Sequence, residues 1–309
     1  MDEKKISVIC DKRTLEDRDL GYEAKGTTWD QRPFYLMNKV LKDRKNVEYV
    51  LIDTIGEHSF EGVHSAFLHL DRDVHPESYA PALRLAIPKE VHLANRDITN
   101  ITKRYIEEMY VSMGGSSLSL KDPTSYQGKV IVKSIHNAGD PKGRGYNIME
   151  VSDVPEEVWS DLEMLVQPFI SSGGSQDEGE ISRMDRHVIF LGESVTCSFY
   201  SKEPIIKRRT SIWEYFRDLN KLETDFGSQQ RICLNDLKIF YRCLSADEKR
   251  NQETILEYAR LVGLDFGSID TITDSKDNLY ILDVNKTPWE RGIPEEFINI
   301  FRKQLEENG

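Results

Sequence analysis

The sequence predicts an α/β protein whose first third forms a small open α/β domain. Three strand-like apolar runs, Ile6–Cys10, Tyr49–Asp53 and Ala66–Leu70, alternate with helix-sized segments, which is the pattern of an open sheet covered by helices. Farther along, the β-branched and aromatic runs FGSIDTIT and LYILDV are joined by the polar turn DSKDN. This arrangement predicts a hairpin of two buried strands.

Apolar residues at helical spacing predict the helices that accompany these strands. The predicted helices lie near Phe34–Leu41, Glu77–Ala86, Asn95–Met109 and Asp247–Val262, and a last helix begins at Pro294. Asn95 or Asp97 is the expected cap of the third helix. Further strands are predicted for Val91–Ala94, GKVIVKS, MLVQPFI, RHVIFLG and SVTCSFY, the last two joined at Gly192 and Glu193.

Composition and charge exclude several functional classes. The net charge of −12 argues against a nucleic-acid-binding surface, because phosphate contacts need a basic face. No apolar run reaches the roughly 18 residues of a membrane span, and the start MDEKKISVIC lacks a signal-peptide pattern. The 4 cysteines show no Cys-x-x-Cys spacing, so reduced thiols and a cytoplasmic location are expected.

The predicted hairpin carries a set of oxygen donors. Asp270 lies at the centre of its first strand, and Asp283 and Asn285 lie two apart at the end of its second strand. Residues two apart share one face of a strand. Two carboxylates and an amide carbonyl suit Mg²⁺, which prefers few protein ligands together with phosphates. The alternative is a hairpin whose acidic residues simply face water.

Two lysines earlier in the chain are candidates for binding phosphate. Lys133 ends an apolar strand and precedes the Gly-rich segment SIHNAGDPKGRGYN. A lysine at this place can neutralise a polyphosphate while the N–H groups of the loop cover it. Lys103 lies off the apolar stripe of its predicted helix. No Walker A motif is present, and for the loop taken alone a plain surface turn is the alternative.

The order of these parts resembles the ATP-grasp superfamily from Asn95 to Pro288. Glutathione synthetase, ribosomal-protein glutamate ligases and D-alanine–D-alanine ligase belong to it. The resemblance implies an ATP-grasp domain over residues 95–309, with ATP between two α+β lobes, preceded by a small open α/β domain over residues 1–94. It also implies two Mg²⁺ ions, with Mn²⁺ as the alternative ion, bound by Asp270, Asp283 and Asn285. The family more often has Glu at the position of Asp283, so the reach to the second ion is one methylene shorter here.

The resemblance also assigns nucleotide contacts position by position. Lys103 and Lys133 match the two lysines that reach the phosphates. Gln167, Phe169 and Ile170 match the hinge that binds adenine; the family often has Glu in place of Gln167, and an amide oxygen can still pair with the base. Glu178 is the expected ribose ligand, with Asp177 and Glu180 as alternatives. The expected contacts of the phosphate-covering loop are Gly139, Lys142, Gly143, Arg144 and Gly145.

Arg186 and Arg208 are the expected catalytic residues. Asp185-Arg186 resembles the family's D-x-R strand, and Arg208 follows the next strand. Both arginines are placed to hold a carboxylate or the transferring phosphoryl group, and an exposed basic cluster is the alternative for Arg208. For His69 a structural role is favoured over a metal site shared with Asp71.

The resemblance implies an ATP- and Mg²⁺-dependent ligase that activates a carboxylate as an acylphosphate and joins it to an amine, releasing ADP and phosphate. Such chemistry needs positioning and electrostatics rather than a protein nucleophile. The alternatives are an ATP-grasp kinase that phosphorylates a hydroxyl and a non-catalytic nucleotide-binding module. The expected partners are small-molecule or peptide carboxylates and amines, with no nucleic acid and no membrane. Oligomeric state carries no signal in the sequence, and a homodimer is compatible with it.

Overall fold

A computed structural model of the chain describes residues 4–11, 36–42, 44–70, 72–136, 146–170, 182–201, 230–234, 237–242, 249–288 and 295–308. Within these residues the chain forms three β-sheets, of four, three and six strands, with helices packed against them. The first sheet is parallel and the other two are antiparallel. The α/β class predicted from the sequence is therefore confirmed.

The first sheet is N-terminal and has the strand order β2-β1-β3-β4. Its elements are β1 (Lys5–Cys10), α1 (Leu36–Val40), β2 (Val47–Leu51), β3 (Val63–His69), α2 (Tyr79–Ala86) and β4 (His92–Ala94). Residues 6–10 of the central strand are all buried, as expected for a parallel strand covered on both faces. The chain goes from β1 to β2 on one side and to β3 on the other. The strand order therefore reverses between β1 and β3, and at such a point the C-terminal ends of the strands are expected to flank a crevice.

The third predicted helix begins later than expected, as α3 (Lys103–Ser112). The residues before it are extended because Asn100 pairs with Val74 in a β-bridge. Ile98 and Ile101 are buried nevertheless. The apolar spacing there thus reflected burial of an extended segment rather than a helix turn, and the predicted start was wrong. The predicted strand Tyr49–Asp53 was placed two residues too late, because β2 begins at Val47 and stops at Leu51.

The second sheet has three antiparallel strands in the order β6-β5-β7. Its elements are β5 (Lys129–Ser134), β6 (Tyr146–Glu150), α4 (Glu156–Ser160) and β7 (Met164–Pro168). Val130, Val132 and Val166 are buried together on one face. Alternation therefore places Lys133 and Gln167 on the other face.

The third sheet has the order β10-β11-β9-β8-β12-β13 in the part of the chain that is described. Its strands are β8 (Ser182–Phe190), β9 (Glu193–Ser201), β10 (Gln230–Leu234), β11 (Leu237–Arg242), β12 (Phe266–Thr273) and β13 (Leu279–Asn285); α5 (Lys249–Val262) precedes β12 and α6 (Glu295–Asn308) follows β13. The predicted hairpins β8–β9 and β12–β13 are both confirmed. Among the described helices, none is long and apolar enough to cross a membrane.

The two faces of this large sheet have different neighbours. Ile189 and Ile269 belong to a core that includes residues of α3 and α5. Phe190 and Phe266 lie on the other face, in a core shared with the N-terminal sheet and α6; Phe190 stacks on Phe67 of β3 at 5.9 Å. This second face therefore joins the N-terminal sheet to the large sheet.

Asn95 fastens the end of β4 to the start of β12. Its Oδ1 accepts hydrogen bonds from the N–H groups of Asp265 and Phe266, both at 2.9 Å, and its Nδ2 donates to the Phe266 carbonyl at 2.7 Å. The residue is 1 % exposed and has a left-handed φ of 62°. The sequence predicted Asn95 or Asp97 as the cap of this helix. Neither residue caps it, because α3 begins at Lys103 and its N-cap residue is Thr102.

We expect Asn95→Ala to lower the free energy of unfolding by about 2–4 kcal/mol. The change removes three hydrogen bonds, two of them buried, and leaves a residue with a Cβ in left-handed backbone. Asn95→Gly removes the same bonds but tolerates this backbone, so it should cost about 1 kcal/mol less. Chemical denaturation measures both variants. A loss below about 0.5 kcal/mol in each would contradict the role given to Asn95.

Candidate functional site

Acidic side chains from neighbouring strands meet on one face of the large sheet. Asp270 on β12 lies directly opposite Asp283 on β13, and Ser268 lies opposite Asn285. Residues directly opposite one another in an antiparallel pair project to the same side. The predicted metal-binding set of Asp270, Asp283 and Asn285 therefore shares one face.

A bulge in β13 turns two of these residues out of the core. Ile281 is buried beside α3 and α5, so simple alternation would also bury Asp283, two residues farther on. The pairing with β12 skips Leu282, and this extra residue reverses the alternation. As a result Val284 is fully buried, whereas the Asp283 side chain remains 34 % exposed. The sequence analysis did not predict this bulge.

Arg186 on β8 completes the row because it lies opposite Asp270. Its Nε donates to Asp270 Oδ1 at 2.7 Å and its Nη2 donates to Oδ2 at 2.9 Å. A bidentate pair of this kind fixes the carboxylate in position. Arg186 was predicted to face the reacting group; in the structure it orients a predicted metal ligand, Asp270.

Both predicted phosphate-binding lysines approach these acidic residues. Lys103 Nζ lies 3.9 Å from Asp283 Oδ1 and donates to the His136 carbonyl at 2.7 Å. Burial and then the charge of Lys103 lower the pKa of Lys133, Asp283 and Glu107 act in the opposite direction, and the pKa that results is about 8. The region around Lys103, Lys133, Asp270 and Asp283 is called the central cleft below.

The donor set of the cleft fits a divalent cation. Burial raises the pKa of Asp283; Lys103 opposes this effect and the nearby Asp270 adds to it. A cation would relieve this repulsion between carboxylates. Asn285 Oδ1 is oriented by a 2.8 Å hydrogen bond from the Thr287 N–H. In the described ranges there is no group of three or more His, Cys, Asp or Glu residues that could hold a metal ion.

The predicted adenine-binding hinge lies at the end of β7. The Phe169 N–H donates to the Lys129 carbonyl at 2.9 Å, which ties the hinge to β5. Phe169 and Ile170 are half-buried, and Gln167 is only 4 % exposed. Gln167 lies opposite Ile131 of β5 and so shares a sheet face with Lys133.

Sequence reasoning missed Glu107, which lies on α3 beneath the hinge. It is 8 % exposed and accepts hydrogen bonds from Ser117, Leu118, Ser119 and Gln167. Burial acts to raise its pKa, but the bonds from Ser119 and Ser117 outweigh it and hold the pKa below its usual value. The signal was its spacing: Glu107 follows Lys103 by four positions and therefore lies on the same side of the helix.

A second polar cluster lies in the crevice at the C-terminal ends of β1 and β3. Asp11 directly follows β1, is fully buried and accepts a 2.6 Å hydrogen bond from Arg72 Nε. Lys286 Nζ lies 2.8 Å from His75 Nε2. Burial lowers the pKa of His75 to about 3, so its ring is neutral and can accept from the ammonium group. His69 at the end of β3 is likewise buried, with a pKa lowered to about 3 by burial.

The other predicted site residues lie outside the described residues. They are Asp71, Gly139, Lys142, Gly143, Arg144, Gly145, Glu178 and Arg208.

We expect Lys133→Met to raise the free energy of unfolding at pH 7 by about 1–3 kcal/mol. The folded protein carries a partly buried ammonium group whose pKa is about 8 rather than the usual 10.5. Between these values the unfolded chain binds more protons, so the stability of the unaltered protein rises with pH across this window. The variant lacks that rise.

Denaturation at a series of pH values tests this expectation. The matched control is Lys129→Met, which alters an exposed lysine of the same strand and should change stability by less than about 0.5 kcal/mol. A Lys133→Met protein that is less stable than the unaltered protein at pH 7 would show that the ammonium group carries no such penalty.

Solved structures of other proteins are similar to this chain over nearly its whole length. No family model and no curated relative matches the sequence. The ATP-grasp ligase PsnB, complexed with a phosphomimetic variant of its minimal precursor, Mg and ADP, is similar with a TM-score of 0.57 at 13 % identity, covering 99 % of this chain and 98 % of that chain. The D-alanine–D-alanine ligase from Bacillus anthracis complexed with ATP gives 0.55 at 13 % identity, covering 99 % and 95 %. The D-cycloserine synthetase DcsG gives 0.54 at 11 % identity, covering 98 % and 99 %. The chain therefore has the fold of the ATP-grasp ligases.

Proposed function

We propose that the protein is an ATP- and Mg²⁺-dependent ligase that joins a carboxylate to an amine with release of ADP and phosphate. The observation that carries the proposal is the 3.9 Å approach of Lys103 to Asp283. It brings an ammonium group from α3 to a carboxylate at the end of β13. Cationic and anionic groups on one cleft suit a triphosphate that reaches the enzyme together with a divalent cation.

Each part of the cleft has a role in this proposal. Lys103 and Lys133 offset the charge of the phosphates, and the hinge from Gln167 to Ile170 holds adenine. Asp270, Asp283 and Asn285 would hold Mg²⁺, two ions being proposed, and the bound metal supplies charge neutralisation and Lewis acidity. The loop residues from Gly139 to Gly145 and the ribose ligand Glu178 remain proposed contacts.

The chain's own groups then act by positioning and electrostatics. A carboxylate oxygen of the substrate attacks the γ-phosphorus of ATP in line. The bond between the γ-phosphorus and the oxygen of ADP breaks, and an acylphosphate forms. The amine attacks the acyl carbon and the C–N bond forms; phosphate leaves with the electron pair of the broken C–O bond, and the nitrogen loses one proton to the departing phosphate or to water. Arg186 and Arg208 are the proposed residues facing the reacting groups, and Arg186 also keeps Asp270 in place.

Substrate recognition is proposed for the N-terminal part of the chain, residues 1–94, and nucleotide binding for residues 95–309. Ligands of open parallel sheets bind outside the C-terminal ends of the strands, which is where Arg72 and Asp11 lie. The similar structures include complexes with precursor peptides, so peptides as well as small molecules are proposed substrates. A cytoplasmic location, where ATP and Mg²⁺ are available, completes the proposal.

The direct test mixes the protein with ATP, Mg²⁺ and pairs of candidate carboxylates and amines. We expect ADP, phosphate and an amide product. Asp283→Ala should abolish turnover while ATP affinity changes little, because Asp283 would bind the metal rather than the base. AMP and pyrophosphate would refute the acylphosphate route. A stable phosphorylated product without phosphate release would identify a kinase, and full biological activity of Asp283→Ala would indicate a non-catalytic module.

Arg186 has two proposed roles, orienting Asp270 and facing the reacting group, and a substitution can separate them. If it mainly orients Asp270, Arg186→Met should raise the Mg²⁺ concentration for half-maximal turnover by about 10–100-fold, with ATP affinity nearly unchanged. A titration of turnover against Mg²⁺ at saturating ATP measures this shift. A fall in kcat at saturating Mg²⁺ with no shift in the Mg²⁺ requirement would instead assign Arg186 to the reacting group alone.

A further inference from the structure

The side-chain carboxylate of Glu107 accepts five hydrogen bonds. Its Oε1 accepts from Ser117 Oγ at 2.7 Å and from the N–H groups of Leu118 and Ser119 at 2.6 Å each. Its Oε2 accepts from Ser119 Oγ and, at 3.3 Å, from Gln167 Nε2. An ionised carboxylate can only accept hydrogen bonds. The five donors therefore match the charged form of this side chain.

This carboxylate determines which way the Gln167 amide points. An amide has a donor end and an acceptor end of nearly equal size, so its orientation follows from its hydrogen-bond partners. Glu107 can be bonded only by the NH₂ end. The opposite rotamer would set a carbonyl oxygen against a carboxylate oxygen in a buried place, because both residues are less than a tenth exposed. The Gln167 carbonyl oxygen is therefore fixed on the branch directed away from Glu107.

Gln167 occupies the position from which an amide can reach a nucleobase in the proposed site. It is the last residue but one of β7 and lies next to the hinge residues Pro168 and Phe169. It also projects to the same face of the small sheet as Lys133, which is electrostatically coupled to Lys103, Asp283 and Glu107. One sheet face thus carries the ammonium group of Lys133, which is proposed to bind phosphate. The neighbouring strand carries the amide of Gln167, whose orientation is fixed by Glu107.

We propose that Glu107 is a positioning residue that gives the protein its preference for adenine. With its polarity fixed, Gln167 offers an acceptor to the base. The 6-amino group of adenine donates a hydrogen bond to it, whereas the 6-oxo group of hypoxanthine or guanine is another acceptor and leaves both oxygens unpaired. Polar groups left unpaired in a buried site lower affinity by about 10–100-fold. The inference rests on the proposed nucleotide site and adds its base specificity.

The test compares ATP with ITP, because these two nucleotides differ in the base only at and around the 6-position and ITP has no 2-amino group to confuse the comparison. Titration calorimetry of the full chain with each nucleotide in the presence of Mg²⁺ gives the ratio of dissociation constants. We expect the unaltered protein to bind ATP about 10–100-fold more tightly than ITP. In Glu107→Gln the new amide can donate as well as accept, so Gln167 can turn, and the ratio should fall at least about fivefold towards unity.

Two further variants distinguish positioning from a merely structural effect. The double variant Ser117→Ala/Ser119→Ala removes side-chain donors to Glu107 but leaves the carboxylate facing Gln167, so it should keep the ATP/ITP ratio. Gln167→Met keeps Glu107 and its loop but removes the acceptor, so its ratio should fall as in Glu107→Gln. This second variant tests the inference even where Glu107→Gln fails to fold.

Each outcome bears on the inference. Equal weakening of ATP and ITP binding in Glu107→Gln and Gln167→Met, with the ratio unchanged, would show that these residues support the fold only and would overturn it. A ratio near unity in the unaltered protein would overturn it as well. Failure of the unaltered protein to bind either nucleotide would overturn the proposed function, and this inference with it, so the two failures are distinguishable.

Discussion

One extra residue in β13 makes the polar site compatible with the core beneath it. The strand has to bury Ile281 and Val284 against α3 and α5, yet it also has to present Asp283 and Asn285 on its other face. Regular alternation cannot do both, because Ile281 and Asp283 have the same parity. The bulge at Leu282 changes the parity between them. If the pairing slipped to a regular ladder, carboxylate and amide groups would enter an apolar core at a cost that the fold could not sustain.

The charges that this arrangement exposes are balanced in pairs. Arg186 neutralises Asp270 through two hydrogen bonds, and Lys103 approaches Asp283. Burial and the neighbouring ammonium group of Lys103 both disfavour the charge of Lys133. A bound triphosphate would place negative charge beside the lysines, and its cation would place positive charge beside the carboxylates. On the proposed function, the stability lost at Lys133 would be the cost of a site prepared for phosphate.

The sequence predicted those features that depend on local chemistry. The β12–β13 hairpin follows from two β-branched runs around a polar turn, and the approach of Lys103 to Asp283 agrees with the order of motifs along the chain. The start of α3 could not be predicted from the sequence. Ile98 and Ile101 are buried in an extended segment that pairs with Val74, and their spacing happens to match that of a helix. The role of Asn95 also depends on a contact with residues 170 positions away. Glu107 escaped notice because an acidic residue in a helix ordinarily faces water.

The most direct measurement is a crystal structure of the protein with a non-hydrolysable ATP analogue and Mg²⁺. The account predicts one nucleotide whose phosphates contact the ammonium groups of Lys103 and Lys133 while the associated ion contacts the carboxylates of Asp270 and Asp283. A nucleotide that contacts the lysines but leaves Asp270 and Asp283 facing another cavity, or one that binds outside the central cleft, would contradict it.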